Sequence, residues 1–135
     1  MQIAGVDLYV NHPVLALGST EWIPSTLALG DAPAAGCGTH VIVRVQAQTA
    51  LIRVRLFTDH GDRGDHEGAR DPVTTVFDGD LLLNDGRLVI GDVVGESRFT
   101  TSLLGTPGRR RVQVLVDVPQ GQSRAVDIVI SAGAA

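Results

Sequence analysis

The chain has 135 residues, enough for one domain that buries a core without help from disulfides or metals. Hydrophobic residues make up 44% of it and charged residues 19%, a balance that excludes an intrinsically disordered chain. The formal net charge of −4 argues against nonspecific nucleic-acid binding, which depends on a basic surface.

Cysteine content and the absence of targeting signals predict an intracellular protein. The single cysteine, Cys37, rules out an intramolecular disulfide and favours a reducing compartment. The N-terminus lacks the basic start and the apolar run of a secretory signal. No later apolar run approaches the roughly 20 residues needed to cross a bilayer. We therefore expect a cytoplasmic protein without a membrane partner.

The first third of the chain predicts short strands separated by loops. Alternating hydrophobic residues predict strands at residues 3–10 and 14–17. Pro24 followed by residues 25–29 predicts a single helical turn, and the stretch from Gly30 to Gly38 predicts a loop. No window shows a longer helical repeat.

The middle of the chain predicts two hairpins. Residues 39–47 place Val41, Val43 and Val45 on one face, and residues 51–58 alternate Ile52, Val54 and Leu56 with outward arginines. A short break between them predicts that these strands form a hairpin. Strands at 73–77, 81–83 and 87–90 follow, and the Asn84-Asp85-Gly86 turn predicts a hairpin between the last two.

The C-terminal third gives the clearest pattern. A strand predicted at 98–104 ends at a Gly-Thr-Pro-Gly turn, and valine then occupies every second position of residues 112–118. A turn at 119–122 and renewed alternation at 124–131 predict a C-terminal hairpin. Eight or nine short strands indicate an all-β fold. We expect one domain over 1–135, an antiparallel β-sandwich of jelly-roll type with an aliphatic core.

One segment without a large apolar side chain, residues 59–71, stands out as a candidate site. It reads DHGDRGDHEGARD and concentrates carboxylates and imidazoles within a glycine-punctuated loop. A flexible acidic loop on a rigid scaffold can steer onto a basic protein surface. We therefore predict partner binding by Asp59, His60, Asp62, Asp65 and Glu67. The alternative interpretation is a solvated loop that is polar because it is wet.

Catalysis and metal binding fit this segment less well. Aspartates at 59, 62 and 65 recur every third residue, whereas the helix-loop-helix calcium loop places acids at alternate positions. General acid–base catalysis needs rigidly held groups, and Gly61, Gly64 and Gly68 do not supply them. No serine lies in a glycine elbow. We expect no enzyme activity, no cofactor and no metal, with a small ligand- or metal-binding domain as the alternative.

Two further features have ordinary interpretations. Cys37 is expected to be an inert thiol in a loop, although His40 is close to it in sequence. The outward arginines 44, 53, 55 and 111 predict a solvated face crossed by local ion pairs, with a continuous basic stripe as the alternative.

The order of segments resembles a group of small bacterial β-sandwich proteins similar to the competence protein J nuclease inhibitor and to immunity-like proteins. The resemblance rests on Trp22, on the strand exit Gly86-Arg87-Leu88-Val89-Ile90, and on Pro107-Gly108 before the valine strand. It covers about residues 6–130 and implies a non-enzymatic module that recognises another protein. We therefore expect an inhibitor or immunity-type partner of another bacterial protein.

Overall fold

The computed structural model of the chain describes residues 2–9, 13–20, 23–45, 51–58, 74–83, 86–92, 98–102, 108–118 and 123–132. These residues form ten strands in two five-stranded sheets. The first sheet has the order β1 (Gln2–Tyr9), β5 (Leu51–Phe57), β10 (Ala125–Ala132), β9 (Gly108–Val116), β6 (Thr74–Leu83). The second has the order β3 (Ala34–Gly36), β4 (His40–Arg44), β2 (Val14–Gly18), β7 (Arg87–Asp92), β8 (Arg98–Ser102). The predicted all-β sandwich is confirmed, with slightly more strands than expected.

A single aliphatic core lies between the two sheets. Alternate residues of each strand point into it, so the inward faces predicted for β4, β5, β9 and β10 are confirmed. The central strands contribute Ile52, Val54 and Leu56 from β5 and the Val126, Ile128 and Ile130 side chains from β10, all at most 4% exposed. Burial of this apolar area is the main force that holds the sheets together.

Strand pairing departs from the predicted hairpins. Strands β4 and β5 lie in different sheets, and so do β6 and β7, so neither predicted middle hairpin exists. The turn before β7 is real, because the Gly86 N–H donates to the Leu83 carbonyl at 3.2 Å and Gly86 has φ 72°. It carries the chain from one sheet to the other. The alternation of apolar and polar residues indicates which face of a strand is buried, but it does not indicate which strand lies beside it.

Two loops also differ from expectation. Residues 34–36, predicted as loop, form the edge strand β3 against β4. The predicted helical turn after Pro24 is instead a β-turn, closed by the Leu27 N–H on the Pro24 carbonyl at 3.0 Å. Strands predicted at 73–77 and 81–83 are one strand, β6, with an irregularity between Thr75 and Phe77. The described residues contain no helix that could span a membrane.

The predicted C-terminal hairpin is confirmed by the antiparallel register of β9 and β10. Two side chains hold the end of the hairpin at which the chain turns from β9 to β10. The Ser123 hydroxyl donates to the Val118 carbonyl at 2.6 Å and accepts from the Val118 N–H at 3.2 Å. Asp117 Oδ1 accepts from the N–H groups of Arg124 and Ala125 at 3.1 and 3.3 Å. These contacts fix where β10 begins.

Substitution Ser123→Ala is expected to lower the free energy of unfolding by about 1–3 kcal/mol. The Ser123 hydroxyl is completely buried, and its loss leaves the Val118 N–H and carbonyl without this hydrogen-bond partner. Chemical denaturation of both proteins measures the difference. The exposed Ser25→Ala serves as the control. Equal losses for the two variants would remove Ser123 as the clamp of the hairpin.

Candidate functional site

The outer face of the first sheet, the side turned away from the shared core, is not an ordinary solvated surface. Phe57, Leu115 and Val129 form a second buried cluster on it, each at most 3% exposed. Asp127 on the same face is completely buried. A buried carboxylate must be paired, since transferring an unpaired ion from water is very costly. Asp127 must therefore have a cationic partner on this face.

Asp127 is paired with Arg55, its direct neighbour across the ladder between β5 and β10. Arg55 Nε and Nη2 donate to Oδ1 and Oδ2, both at 2.8 Å, so the pair is bidentate. The Arg55 guanidinium also lies 5.3 Å from the centroid of the Phe57 ring. Such a pair is strong in geometry, yet its desolvation cost offsets much of the attraction. Its consequence is specificity: it defines one register for the parallel strands.

Arg111 makes a similar but exposed pair with Asp78 of β6. Its Nε and Nη2 donate to the two carboxylate oxygens at 2.9 and 2.7 Å, and Gln113 adds a third bond at 3.3 Å. The hydrogen bonds from Arg111 hold the pKa of Asp78 below its usual value. Because the folded pKa is depressed, the pair stabilises the protein above the unfolded pKa and loses this effect as pH falls. The contribution is small, since both side chains are more than a third exposed.

Arg53, which precedes Arg55 by two residues on the same face, is arranged differently. Its Nε and Nη2 are buried and have no hydrogen-bond partner. This is the same edge of the guanidinium that Arg55 and Arg111 turn to a carboxylate. Asp7 lies directly opposite Arg53 in the β1–β5 ladder and is exposed, yet it does not reach these atoms. Buried donors without acceptors cost about 1–3 kcal/mol and call for an explanation.

Leu51 adds an apolar group beside Arg53. It lies two residues away on β5 and is 50% exposed, the one exposed large hydrophobic side chain among the described residues. We call Leu51, Arg53 and Asp7 the Leu51–Arg53 corner. It joins an accessible aliphatic group to a guanidinium edge whose two donors are buried and unused.

The arginines do not form a continuous basic stripe. Arg55 and Arg111 are neutralised by aspartates, as the prediction of local ion pairs requires. Arg44 lies on the second sheet, where its Nη2 donates to the Gly30 carbonyl at 2.6 Å. Arg53 is the exception to the ion-pair prediction, and sequence alone had no signal for it because the pattern of β5 is the same at Arg53 and Arg55.

The turn between β3 and β4 carries the single cysteine. Cys37 is exposed, and its Sγ lies 3.6 Å from the Thr39 hydroxyl oxygen. Partial burial raises the pKa of the thiol, but hydrogen bonds from the Thr39 backbone and hydroxyl and from the His40 N–H together lower it below its ordinary value. A lowered pKa increases the thiolate fraction of an accessible thiol. The inert character that the sequence predicts for Cys37 stays a prediction.

His40 continues this chain of hydrogen bonds. Its Nε2 lies 3.0 Å from the Thr20 carbonyl, which can only accept, so Nε2 carries a proton. In the neutral ring Nδ1 then accepts from the Thr39 hydroxyl at 2.7 Å. The ring is fixed over Gly18, where an added Cβ would collide with it. The Cys37 sulfur, the Thr39 hydroxyl and His40 Nδ1 thus form a chain of two contacts, at 3.6 and 2.7 Å.

The residues of the predicted partner-binding loop, Asp59, His60, Asp62, Asp65 and Glu67, lie outside the described residues. So does Trp22, on which part of the resemblance rests. Within the described part of the chain, no three His, Cys, Asp or Glu side chains are grouped to hold a metal ion. Binding by the 59–71 segment, of a protein or of a metal, stays a prediction.

Substitution Asp127→Ala is expected to lower the free energy of unfolding by about 3 kcal/mol, because it removes the carboxylate that forms two hydrogen bonds with the mostly buried guanidinium of Arg55. The double variant Arg55→Met with Asp127→Leu should lose less than about 1 kcal/mol, since it removes both desolvation costs. Urea denaturation of the three proteins tests this. A double variant as unstable as the single one would mean that the pair stabilises the fold outright.

The Cys37 thiol should react with iodoacetamide with a pH midpoint below that of the same cysteine in the denatured chain, because the hydrogen bonds of the turn lower its pKa. In Thr39→Val the midpoint should rise and the rate at pH 7 should fall several-fold, because the sulfur loses the hydroxyl. Thr39→Ser should keep the wild-type profile, and Thr100→Val on the exposed edge strand is the control. A profile unchanged in Thr39→Val would show that the hydroxyl does not act on the sulfur.

Comparison with protein-family models finds no match. Comparisons with curated proteins and with solved structures find none either. The resemblance to the competence protein J group therefore stays a prediction, and function has to be inferred from the geometry of the chain itself.

Proposed function

We propose that this chain is a non-enzymatic protein-interaction module, with an inhibitor or immunity-type role toward another protein as the narrower form of the proposal. The observation that supports it is the Leu51–Arg53 corner, where two buried guanidinium donors have no acceptor. Buried polar groups normally have hydrogen-bond partners. A site where they lack partners, at a cost in stability, is frequently a functional site.

The chemistry of the corner indicates what a partner must offer. The Nε and Nη2 atoms are buried, so the Arg53 side chain would turn outward on binding. A carboxylate of the partner would then supply the bidentate bonds that Asp127 supplies to Arg55 and Asp78 supplies to Arg111. An apolar group of the partner would cover Leu51. Arginine is enriched among the residues that dominate interface energies, and apolar neighbours strengthen such contacts by excluding water.

The position of Arg53 in the fold suits recognition. Its strand is paired on both sides, with β1 and with β10, and its own N–H donates to the Arg124 carbonyl at 2.8 Å. The backbone under the side chain is therefore fixed before any partner arrives. A partner then orders only the side chains, which limits the entropy cost of binding.

The acidic segment 59–71 is a separate contact in this proposal. It begins directly after Thr58, at the opposite end of β5 from Leu51. Seven strand residues span roughly 20 Å. A partner that engages both regions would therefore present a carboxylate near Arg53 and basic groups about that distance away. Charges at the rim of an interface change mainly the association rate.

The proposal is tested with products of genes adjacent to its own, co-expressed with the chain and screened for a stable complex. With a partner in hand, Arg53→Gln should weaken binding at least tenfold, through faster dissociation, because the partner's carboxylate loses its charged donor. The exposed Arg109→Gln, on the same face, is the matched control and should bind normally. Surface plasmon resonance separates the two rates.

The acidic segment has its own test in the same assay. Changing Asp59, Asp62, Asp65 and Glu67 together to Ala should slow association and flatten its salt dependence. An unchanged association rate and salt dependence in this variant would show that the segment is not part of the interface. The Leu51–Arg53 corner would then be the one proposed contact that remains. A partner that binds Arg53→Gln as tightly as the wild type would refute the role of the corner, and inhibition of a partner enzyme by the complex tests the narrower role.

A further inference from the structure

The outer face of the second sheet carries an apolar pocket. It lies between the segment 23–29 and the strands β2 and β4, with a volume of about 370 Å³. Ile23, Leu27 and Leu29 line one side and Val14 and Ile42 the other, with Ser25 as the hydroxyl among the described lining residues. Binding sites for small molecules have roughly 300–1,000 Å³ and are lined in this way. The pocket therefore has the size and the character of a ligand site.

Two turns and an arginine fix the segment that forms the outer wall. The first turn is closed between Pro24 and Leu27, and the second by the Ala32 N–H on the Leu29 carbonyl at 3.0 Å, with Gly30 at φ 57°. Arg44 Nη2 then ties Gly30 to β4 at 2.6 Å. The two turns fix the backbone of this wall, and the Arg44 contact ties its end to β4.

Arg44 also places a charge beside the pocket. It lies directly opposite Val14 in the β2–β4 ladder, and it follows Ile42 by two residues on the same face of β4. Both neighbours line the pocket. Its observed hydrogen bond uses one Nη2 donor, whereas a guanidinium has five N–H donors. An apolar pocket with one cation beside it complements a molecule that has an aliphatic chain and an anionic head.

We propose that this pocket binds an aliphatic carboxylate, with the chain between the segment 23–29 and the sheet and the carboxylate on Arg44. Water occupies about 30 Å³ per molecule in the liquid, so the pocket holds on the order of ten groups of that size. A medium-length chain of roughly eight to ten carbons fits this volume. The proposal is independent of the Leu51–Arg53 corner, which lies on the other sheet.

The test is isothermal titration of the whole chain with decanoate and with decanol, a neutral molecule of the same length. Decanoate should bind saturably and more tightly than decanol. Ala28→Trp, at an exposed position of the pocket wall, should weaken both at least tenfold by filling the space. Arg44→Gln should weaken decanoate roughly tenfold and leave decanol unchanged, because a charge-assisted bond is lost.

Arg109→Gln, an exposed arginine on the other sheet, is the control and should bind both molecules normally. Circular dichroism shows whether each variant is folded. Should Arg44→Gln unfold through loss of the Gly30 contact, Arg44→Lys retains the charge and should retain the preference for decanoate over decanol. Absence of saturable decanoate binding, or binding unaffected by Ala28→Trp, overturns the proposal. Equal affinity for decanoate and decanol overturns the role of Arg44.

Discussion

The parallel ladder between β5 and β10 is the constraint on which the rest of the structure depends. Every other strand pair described is antiparallel, and this pair brings a strand from the middle of the chain beside the last one. It aligns Ile128 with Leu56 in the core and Asp127 with Arg55 on the outer face. A shift by one residue would expose the core side chains and bury the charges unpaired. Apolar burial and the charge pair therefore select the same register.

The outer face of the first sheet then shows how one local pattern leads to three outcomes. Arg55 is paired and mostly buried, Arg111 is paired and exposed, and Arg53 has two buried donors without an acceptor. All three side chains alternate with core residues on their strands, so their different environments come from the neighbouring strands. Aspartate lies within reach of two of them. This difference supports a role for Arg53 beyond folding.

Close contacts at one edge join the two sheets and position the cysteine turn. The Phe77 ring of β6 lies against Gly36 of β3, so closely that a Cβ there would collide with it. The Leu82 N–H of β6 also donates to the Gly38 carbonyl at 2.8 Å. Both glycines flank Cys37. The turn that presents the thiol is therefore anchored to the first sheet, although its strands belong to the second.

By itself the sequence determined the strand-rich class of the fold, the aliphatic core and the inward face of most strands, because alternation of apolar and polar residues is a local property that burial of one face imposes. It also predicted the C-terminal hairpin, because two strands joined by a short turn can pair only in the antiparallel direction. The tertiary structure alone decided that β4 and β5 lie in different sheets. It also decided that Asp127 forms hydrogen bonds with Arg55, whereas Asp7 forms none with Nε and Nη2 of Arg53. The pocket between the segment 23–29 and the second sheet is likewise a feature of the tertiary structure. These features depend on contacts between residues far apart in the chain, and local periodicity contains no information about which distant strands become neighbours.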